Sequence, residues 1–324
     1  MENCSQIQIK SIEKASHTLK KLLAALLAFI MLFAAACKFG DIDFDVTKAP
    51  QQQTQEPTQE PAHEKTAADA AFEAVDREVF ISVVTSSGLT FHQFVKDAAS
   101  FGIAEEDIER GWGELSQEAD AADFAENAEM RKKLSEIDRS QLSYRNRIAY
   151  DNLVLNLKLS DEIHAVPDAY YYNEPLTVFN GEHTMLPLML SMYEISSAED
   201  AENYVLLLED APRYIGQIEQ FEREKAAKGL FMTENALNKV LESCIKFAET
   251  GNNCFLIGFF EDEMASAEFE ISEQQKTALL ERSRNSIINE LLPAYRSLAN
   301  TLEQLRPQCG SFAGACMRGV GAKD

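Results

Sequence analysis

The sequence predicts an all-α protein: a multi-helix domain with one irregular aromatic segment, preceded by a signal peptide and a disordered linker. Apolar residues recur at helical spacing over much of the chain, most clearly at Leu291, Tyr295, Leu298 and Leu302. No stretch of useful length alternates between apolar and polar residues, which is the pattern of a half-buried strand. Several of the helical patterns follow a serine or threonine that suits a helix N-cap. These observations favour helices packed on helices.

Residues 1–36 are predicted to be a lipoprotein signal peptide. Four lysines within residues 10–21 precede an apolar run over residues 22–36. Fifteen residues at helical rise cover about 22 Å, less than the roughly 30 Å hydrocarbon core of a membrane. The run ends at Cys37, which resembles the lipidated cysteine of bacterial lipoproteins, although a branched residue is usual where Ala34 stands. An uncleaved anchor or an ordinary cleavage site is the alternative.

Residues 37–66 are predicted to form a polar tether between the anchor and the folded part. This stretch is rich in Gln, Pro, Thr and Glu and has too few apolar side chains to form a core. The predicted order is a lipidated cysteine, a tether and then a globular domain over residues 67–324. This order is expected of a protein on the outer face of a bacterial membrane. We therefore expect an extracytoplasmic location, with the membrane as a partner through the lipid anchor.

In the first part of the domain, apolar periodicity predicts helices over residues 68–84, 89–100, 121–137 and 141–159. Further along, Ser196 and Glu199 have capping-box spacing and predict a helix start. Pro212 is expected to break that helix, because an internal proline removes a backbone hydrogen bond. A second helix is expected to follow and to end near Gly229.

The remaining helices are predicted from caps and periodicity. Thr233 precedes an amphipathic run, and residues 254–260 are almost wholly apolar. Ser272 and Gln275 have capping-box spacing before the stretch with the clearest periodicity, which Pro293 is expected to kink. The glycine-rich residues 308–324 predict no closing helix, and we interpret them as the start of a further segment.

The irregular aromatic segment covers residues 170–193. It contains Tyr170, Tyr171 and Tyr172, two prolines at 175 and 187, and the adjacent pair Glu182 and His183. The prolines argue against one uninterrupted helix, and such segments often line a cleft. These five residues, within 170–172 and 181–187, are therefore the candidate contacts for a ligand. The alternative is a buried connection that only fills the core, with the tyrosine rings wedged between helices.

Composition excludes some classes of partner. The formal net charge is −23, which argues against nucleic acid, because nucleic-acid binding depends on a basic surface. The six cysteines contain no CxxC pair, so a zinc or redox motif is not supported. For Cys244, Cys254, Cys309 and Cys316, disulfides and free thiols both stay open.

No complete catalytic site is present among the sequence motifs. HExxH, GxSxG and Walker-type glycine loops are absent, and no two histidines stand at helical i, i+4 spacing. The adjacent side chains of Glu182 and His183 point in different directions, so they do not converge on a metal. We therefore predict no catalytic residue, metal ligand or cofactor in this chain.

Several stretches together resemble one family. They include FEAVDREVF, LTFHQFV, YYYNEPL, GEHTMLPLMLSMY, SAEDAENYVLLLED, FEREKAAKGLFM and LLPAYRSLANTL. In series they look like the N-terminal half of clostridial-type lipoproteins in the bacterial domain-of-unknown-function family number 885. That family is placed among zincin-like metallopeptidases, so the resemblance implies a zinc-dependent peptide hydrolase outside the membrane. The chain departs from the family by ending before the zinc motif, and His183 stands at the polar position of its Gly-x-Gln-x-x-Leu-Pro-like segment.

Three functions follow from these observations. The first is the N-terminal scaffold of an anchored zinc metallopeptidase-like protein, inactive alone, for which zinc is expected only in a full-length family member. The second is a complete, non-catalytic helical lipoprotein that binds a peptide or protein partner. The third, a purely structural surface protein, gives the aromatic segment no role.

Overall fold

The computed structural model describes residues 64–310, which fold as helices joined by turns. The helices are α1 Ala67–Thr85, α2 Gly88–Phe94, α3 Gln117–Ser135, α4 Tyr144–His164, α5 Glu182–Leu190, α6 Ala198–Ala227, α7 Glu234–Ala248, α8 Phe255–Ser266, α9 Glu273–Ser286 and α10 Leu292–Leu305. Within this range no strand forms, and an isolated parallel bridge joins Thr233 to Gly310. The predicted all-α class is confirmed. The predicted signal peptide, Cys37, Cys316 and most of the tether lie outside the described residues.

Most predicted helix starts and ends agree with the structure. Thr233 caps α7, and Ser272 forms the predicted capping box with Gln275 at α9. Gly229, with φ of 72°, follows the last turn of α6 in the left-handed conformation that glycine tolerates best. The α2 prediction was too long, because the helix ends at Phe94 and only a 3₁₀ turn follows at Ala99–Phe101.

The predicted capping box at α6 was wrong by one residue. Ser197, not Ser196, is the N-cap, and its Oγ accepts the backbone N–H of Asp200 at 3.0 Å. The acid at the third helical position is therefore Asp200 rather than Glu199. Its Oδ2 also accepts the backbone N–H of Ser196 at 3.0 Å, which fixes the chain as it enters the helix.

The predicted break at Pro212 was also wrong, since α6 continues through it from Ala198 to Ala227. Buried side chains line α6 on both sides of the proline, including Tyr204, Leu208, Ile215 and Ile218. Burial of this continuous apolar face outweighs the loss of one backbone hydrogen bond. A π-helical turn, Ile287–Leu291, separates α9 from α10 just before Pro293, and the kink expected at this proline stays a prediction.

The segment 170–193 is only partly irregular. A 3₁₀ turn, Ala169–Tyr172, is followed by non-helical chain, but α5 then contains Pro187 within its length. Pro187 has no N–H to donate to the carbonyl of His183, four residues earlier. The hydroxyl of the buried Tyr295 on α10 donates to that carbonyl instead, at 2.9 Å. A side chain from another helix therefore replaces the hydrogen bond that the proline removes.

Three hydrophobic clusters hold the described residues together. The largest cluster contains residues of all six helices from α5 through α10. In it, α10 packs on α6 and α7, and α9 packs on α6 and α8. A separate cluster joins α1, α3 and α4 around Phe72, Val75, Leu134, Leu142 and Leu157. A third, smaller cluster lies at the end of α1 and under the chain that follows α2, and it contains Val84, Val95, Ile103 and Ile108.

Candidate functional site

The predicted contact residue Tyr171 is buried against α6. Its ring lies 5.7 Å from that of Phe221, and its hydroxyl donates to Glu224 Oε2 at 2.9 Å. The side-chain amide of Gln117, at the start of α3, donates to the same hydroxyl. Burial and then the hydrogen bond to Glu224 raise the pKa of Tyr171 to about 12. Tyr171 therefore ties the 3₁₀ turn to both α3 and α6.

Tyr170 faces a surface groove of about 250 Å³ between the 3₁₀ turn, the start of α3 and the second half of α6. Its ring meets Phe221 edge-on, with centroids 5.1 Å apart. Glu118 and Glu224 also line this groove, which we call the Tyr170 groove. Tyr172 is half-buried and does not line it. Of the three tyrosines, Tyr170 is thus the one placed to touch a ligand in the groove.

Glu182 and His183 lie in the first turn of α5. Burial raises the pKa of the half-buried Glu182. His183 is 3% exposed, and neither ring nitrogen has a hydrogen-bond partner among the described residues. Burial lowers the pKa of His183 to about 4, so its ring is neutral at ordinary pH. Within residues 64–310 no recorded hydrogen bond or ring contact joins this pair to Tyr170, Tyr171 or Tyr172, and its role as a ligand contact stays a prediction.

A larger cavity, of about 630 Å³, lies between α2 and the start of α6. We call it the α2–α6 cavity. His92, Phe94, Arg110 and Asp200 line it. A volume in the range of about 300–1,000 Å³ is typical of sites for small molecules.

An aspartate–histidine pair forms one wall of the α2–α6 cavity. Asp200 Oδ1 lies 3.4 Å from Nδ1 of His92, while Asp200 Oδ2 is held by the hydroxyls of Ser196 and Ser197. The His92 ring stacks on Tyr193, with centroids 3.8 Å apart and planes 13° apart. When Nδ1 carries the proton and faces the carboxylate, Nε2 is left as a hydrogen-bond acceptor.

Arg110 also lines the α2–α6 cavity, and its guanidinium is held by neighbouring side chains. Its Nη1 donates to Asn203 on α6 at 2.9 Å, and its guanidinium pairs with Glu105. The chain around Arg110 lies so close to α2 that a Cβ on Gly88 would come 2.7 Å from the Arg110 carbonyl oxygen. Glycine at 88 is therefore what permits this wall of the cavity to form.

Metal ligands and disulfides are absent from the described range. Across residues 64–310, no three His, Cys, Asp or Glu side chains lie together as a metal site requires. The side chains of residues 64–310 therefore do not fit the zinc ion that the family resemblance implies. Cys244, Cys254 and Cys309 are free thiols, and burial raises the pKa of Cys244 to about 12.

The described residues form an all-helical fold with cavities at its surface. The chain belongs to a bacterial family of proteins of unknown function, DUF885, whose model matches residues 96–320. The family part of the sequence resemblance is thereby confirmed. No curated protein sequence is similar to this chain.

A solved structure has a similar fold. It is described as "the crystal structure of the putative lipoprotein from Colwellia psychrerythraea", with a TM-score of 0.60 and 15% sequence identity. The match covers 77% of this chain but only 43% of that one, so this chain spans less than half of that protein's length. Separately, no helix within residues 64–310 is both long and apolar enough to cross a membrane.

Proposed function

We propose that this chain is a peptide-binding helical part of an extracytoplasmic lipoprotein, related to zinc metallopeptidases but not hydrolytic by itself. The observation that carries the proposal is the α2–α6 cavity. Its wall contains the imidazole of His92, which can accept a hydrogen bond, and the guanidinium of Arg110, which has five N–H groups, and a peptide backbone pairs with both kinds of group. Phe94, 66% exposed at the same cavity, adds an apolar surface for a side chain.

The anchor and location follow from residues outside the described range. Cys37 at the end of the predicted signal supports lipidation. The similar fold of a protein described as a lipoprotein agrees with this. We propose three parts: the signal at residues 1–36, the tether at 37–66 and the helical domain from 67.

The α2–α6 cavity can be tested with a matched pair of exposed phenylalanines. The probe is a fluorescein-labelled nonapeptide of Gly, Ser and Ala with a central Phe, and fluorescence anisotropy measures its Kd. Phe94→Ala is expected to weaken binding about fivefold, because it removes apolar contact at the cavity. Phe179→Ala removes a ring that is 91% exposed and does not line the cavity, so its Kd should stay unchanged. Equal Kd values for Phe94→Ala and the unaltered chain would contradict the proposal.

The alternative is a complete, non-catalytic lipoprotein that binds a peptide or a protein. Under both functions we expect this chain neither to hold zinc nor to cleave peptides. The purified full chain is expected to contain far less than one zinc per molecule and to leave a quenched fluorescent peptide uncleaved. Mass spectrometry of bound metal and a fluorescence assay with added zinc measure these properties. Stoichiometric zinc together with turnover would show that a complete hydrolytic site exists.

A further inference from the structure

The floor of the Tyr170 groove is aromatic. Tyr170 and Phe221 both line it, and their edge-on contact holds the Tyr170 ring in place. The Tyr170 hydroxyl has no hydrogen-bond partner recorded within residues 64–310, unlike that of Tyr171. The groove is therefore lined by one partly exposed tyrosine ring that its aromatic neighbours hold in place.

The charged groups of the groove all have the same sign. Glu118 and Glu224 line it, and none of its lining residues is a lysine, arginine or histidine. Glu224 is held in place, since Oε2 accepts from Tyr171 at 2.9 Å and Oε1 accepts from Gln220 at 2.5 Å. Hydrogen bonds, first from Gln220, lower the pKa of Glu224, so its carboxylate is charged at neutral pH. The groove thus combines an aromatic floor with a fixed negative charge.

The same aromatic cluster already holds ammonium groups from this chain on its other sides. Lys225 Nζ lies 5.6 Å from the Phe221 ring and donates to the Asn173 carbonyl. Lys228 Nζ lies 5.7 Å from the Tyr171 ring and pairs with Asp168. Neither lysine lines the groove. These distances are within the range of cation–π attraction, and among the described residues no cation is recorded at the Tyr170 ring.

We propose that the Tyr170 groove binds an organic cation on an alkyl stem, as carried by a lysine side chain. The alkyl stem would lie along Tyr170 and Phe221, and the ammonium group would face Glu118 and Glu224. A net charge of −23 also raises the local concentration of cationic ligands. The inference that a peptide carries this cation rests on the proposed function. The inference that the groove binds an organic cation does not depend on it.

The test compares two fluorescein-labelled nonapeptides of Gly and Ser that differ at one central residue, lysine or norleucine. Norleucine keeps the alkyl stem and lacks the ammonium group. The full chain is expected to bind the lysine peptide about tenfold more tightly at low salt, and added salt should reduce the ratio. Equal Kd values, or no binding of the lysine peptide, would overturn the proposal.

Three variants locate the effect. Tyr170→Leu is expected to remove most of the lysine preference, and the neighbouring Tyr172→Leu is expected to keep it, because Tyr172 does not line the groove. Glu118→Gln should reduce the preference about threefold. Glu118 is exposed and forms no side-chain hydrogen bond or ion pair with the described residues, so glutamine should keep the fold and cost only a small charge effect at the N-terminus of α3. A full preference in both Tyr170→Leu and Glu118→Gln would place the cation elsewhere. If Phe94→Ala bound the phenylalanine peptide as tightly as the unaltered chain does, while the unaltered chain still preferred the lysine peptide, only the proposed function would be refuted.

Discussion

Lowering the pH from 8 to 5 is expected to reduce the free energy of unfolding by about 2 kcal/mol through His183 alone. Burial lowers the pKa of this group from its ordinary 6.5 to about 4. Between these two values the unfolded chain binds a proton at His183 and the folded chain does not. Stability contributed by the neutral, buried ring is therefore complete above pH 6.5 and is lost as the pH falls toward 4.

Urea denaturation of the unaltered chain and of His183→Leu at pH 8 and pH 5 measures this contribution. Leucine cannot be protonated, so the variant should lose about 2 kcal/mol less than the unaltered chain over the same pH interval. Each protein is compared with itself at the two pH values, so a loss of stability from fitting leucine at position 183 cancels if it is the same at both. Such a loss is expected because Gly181 packs against the imidazole. Identical pH dependence in the two proteins would mean that His183 titrates normally in the folded state.

Tyr295→Phe is expected to lower the free energy of unfolding by about 2 kcal/mol, measured by urea denaturation at pH 8. The tyrosine hydroxyl is the group that satisfies the His183 carbonyl in place of the N–H that Pro187 lacks. Removing it leaves a buried carbonyl oxygen without a donor, and such a group costs more than an average hydrogen bond contributes.

Tyr204→Phe is the matched control, and Pro187→Ala gives a rescue. Tyr204 is as buried as Tyr295, but its hydroxyl has no hydrogen-bond partner within the described range. Its loss should change stability by less than about 0.5 kcal/mol. Pro187→Ala restores an N–H that can reach the His183 carbonyl, so it should recover part of the loss in Tyr295→Phe. Equal losses in the two tyrosine variants would show that the carbonyl does not depend on Tyr295.

Much of the fold was predictable because local chemistry determines it. Thr233 and Ser272 cap helices where their spacing indicates, and Gly229 ends α6 in the left-handed conformation. The prolines were less predictable. Pro212 and Pro187 lie inside helices because buried faces and a distant hydroxyl offset their local cost, and neither compensation is visible in the adjacent sequence.

The candidate site was predictable only in part. Tyr170 lines a groove, as an aromatic run with irregular flanks suggested. The α2–α6 cavity was missed, because His92 and Asp200 are far apart in the sequence and meet only when α2 packs beside α6. The nearest sequence signal, the capping-box spacing of Ser196 and Glu199, pointed to the wrong acid, because Ser197 is the N-cap and Asp200 occupies the third helical position.

The separate hydrophobic clusters imply that parts of this protein can unfold locally while the rest stays folded. Because α1, α3 and α4 share a small core of their own, they can unfold as one cooperative unit while the α5–α10 core stays protected from hydrogen exchange. Gln117 on α3 and Tyr171 beside α6 meet across the two units at the Tyr170 groove. A ligand in this groove would bind only while α3 is folded against α6. It would therefore disfavour local unfolding of α1, α3 and α4 and slow the hydrogen exchange of α3 amides.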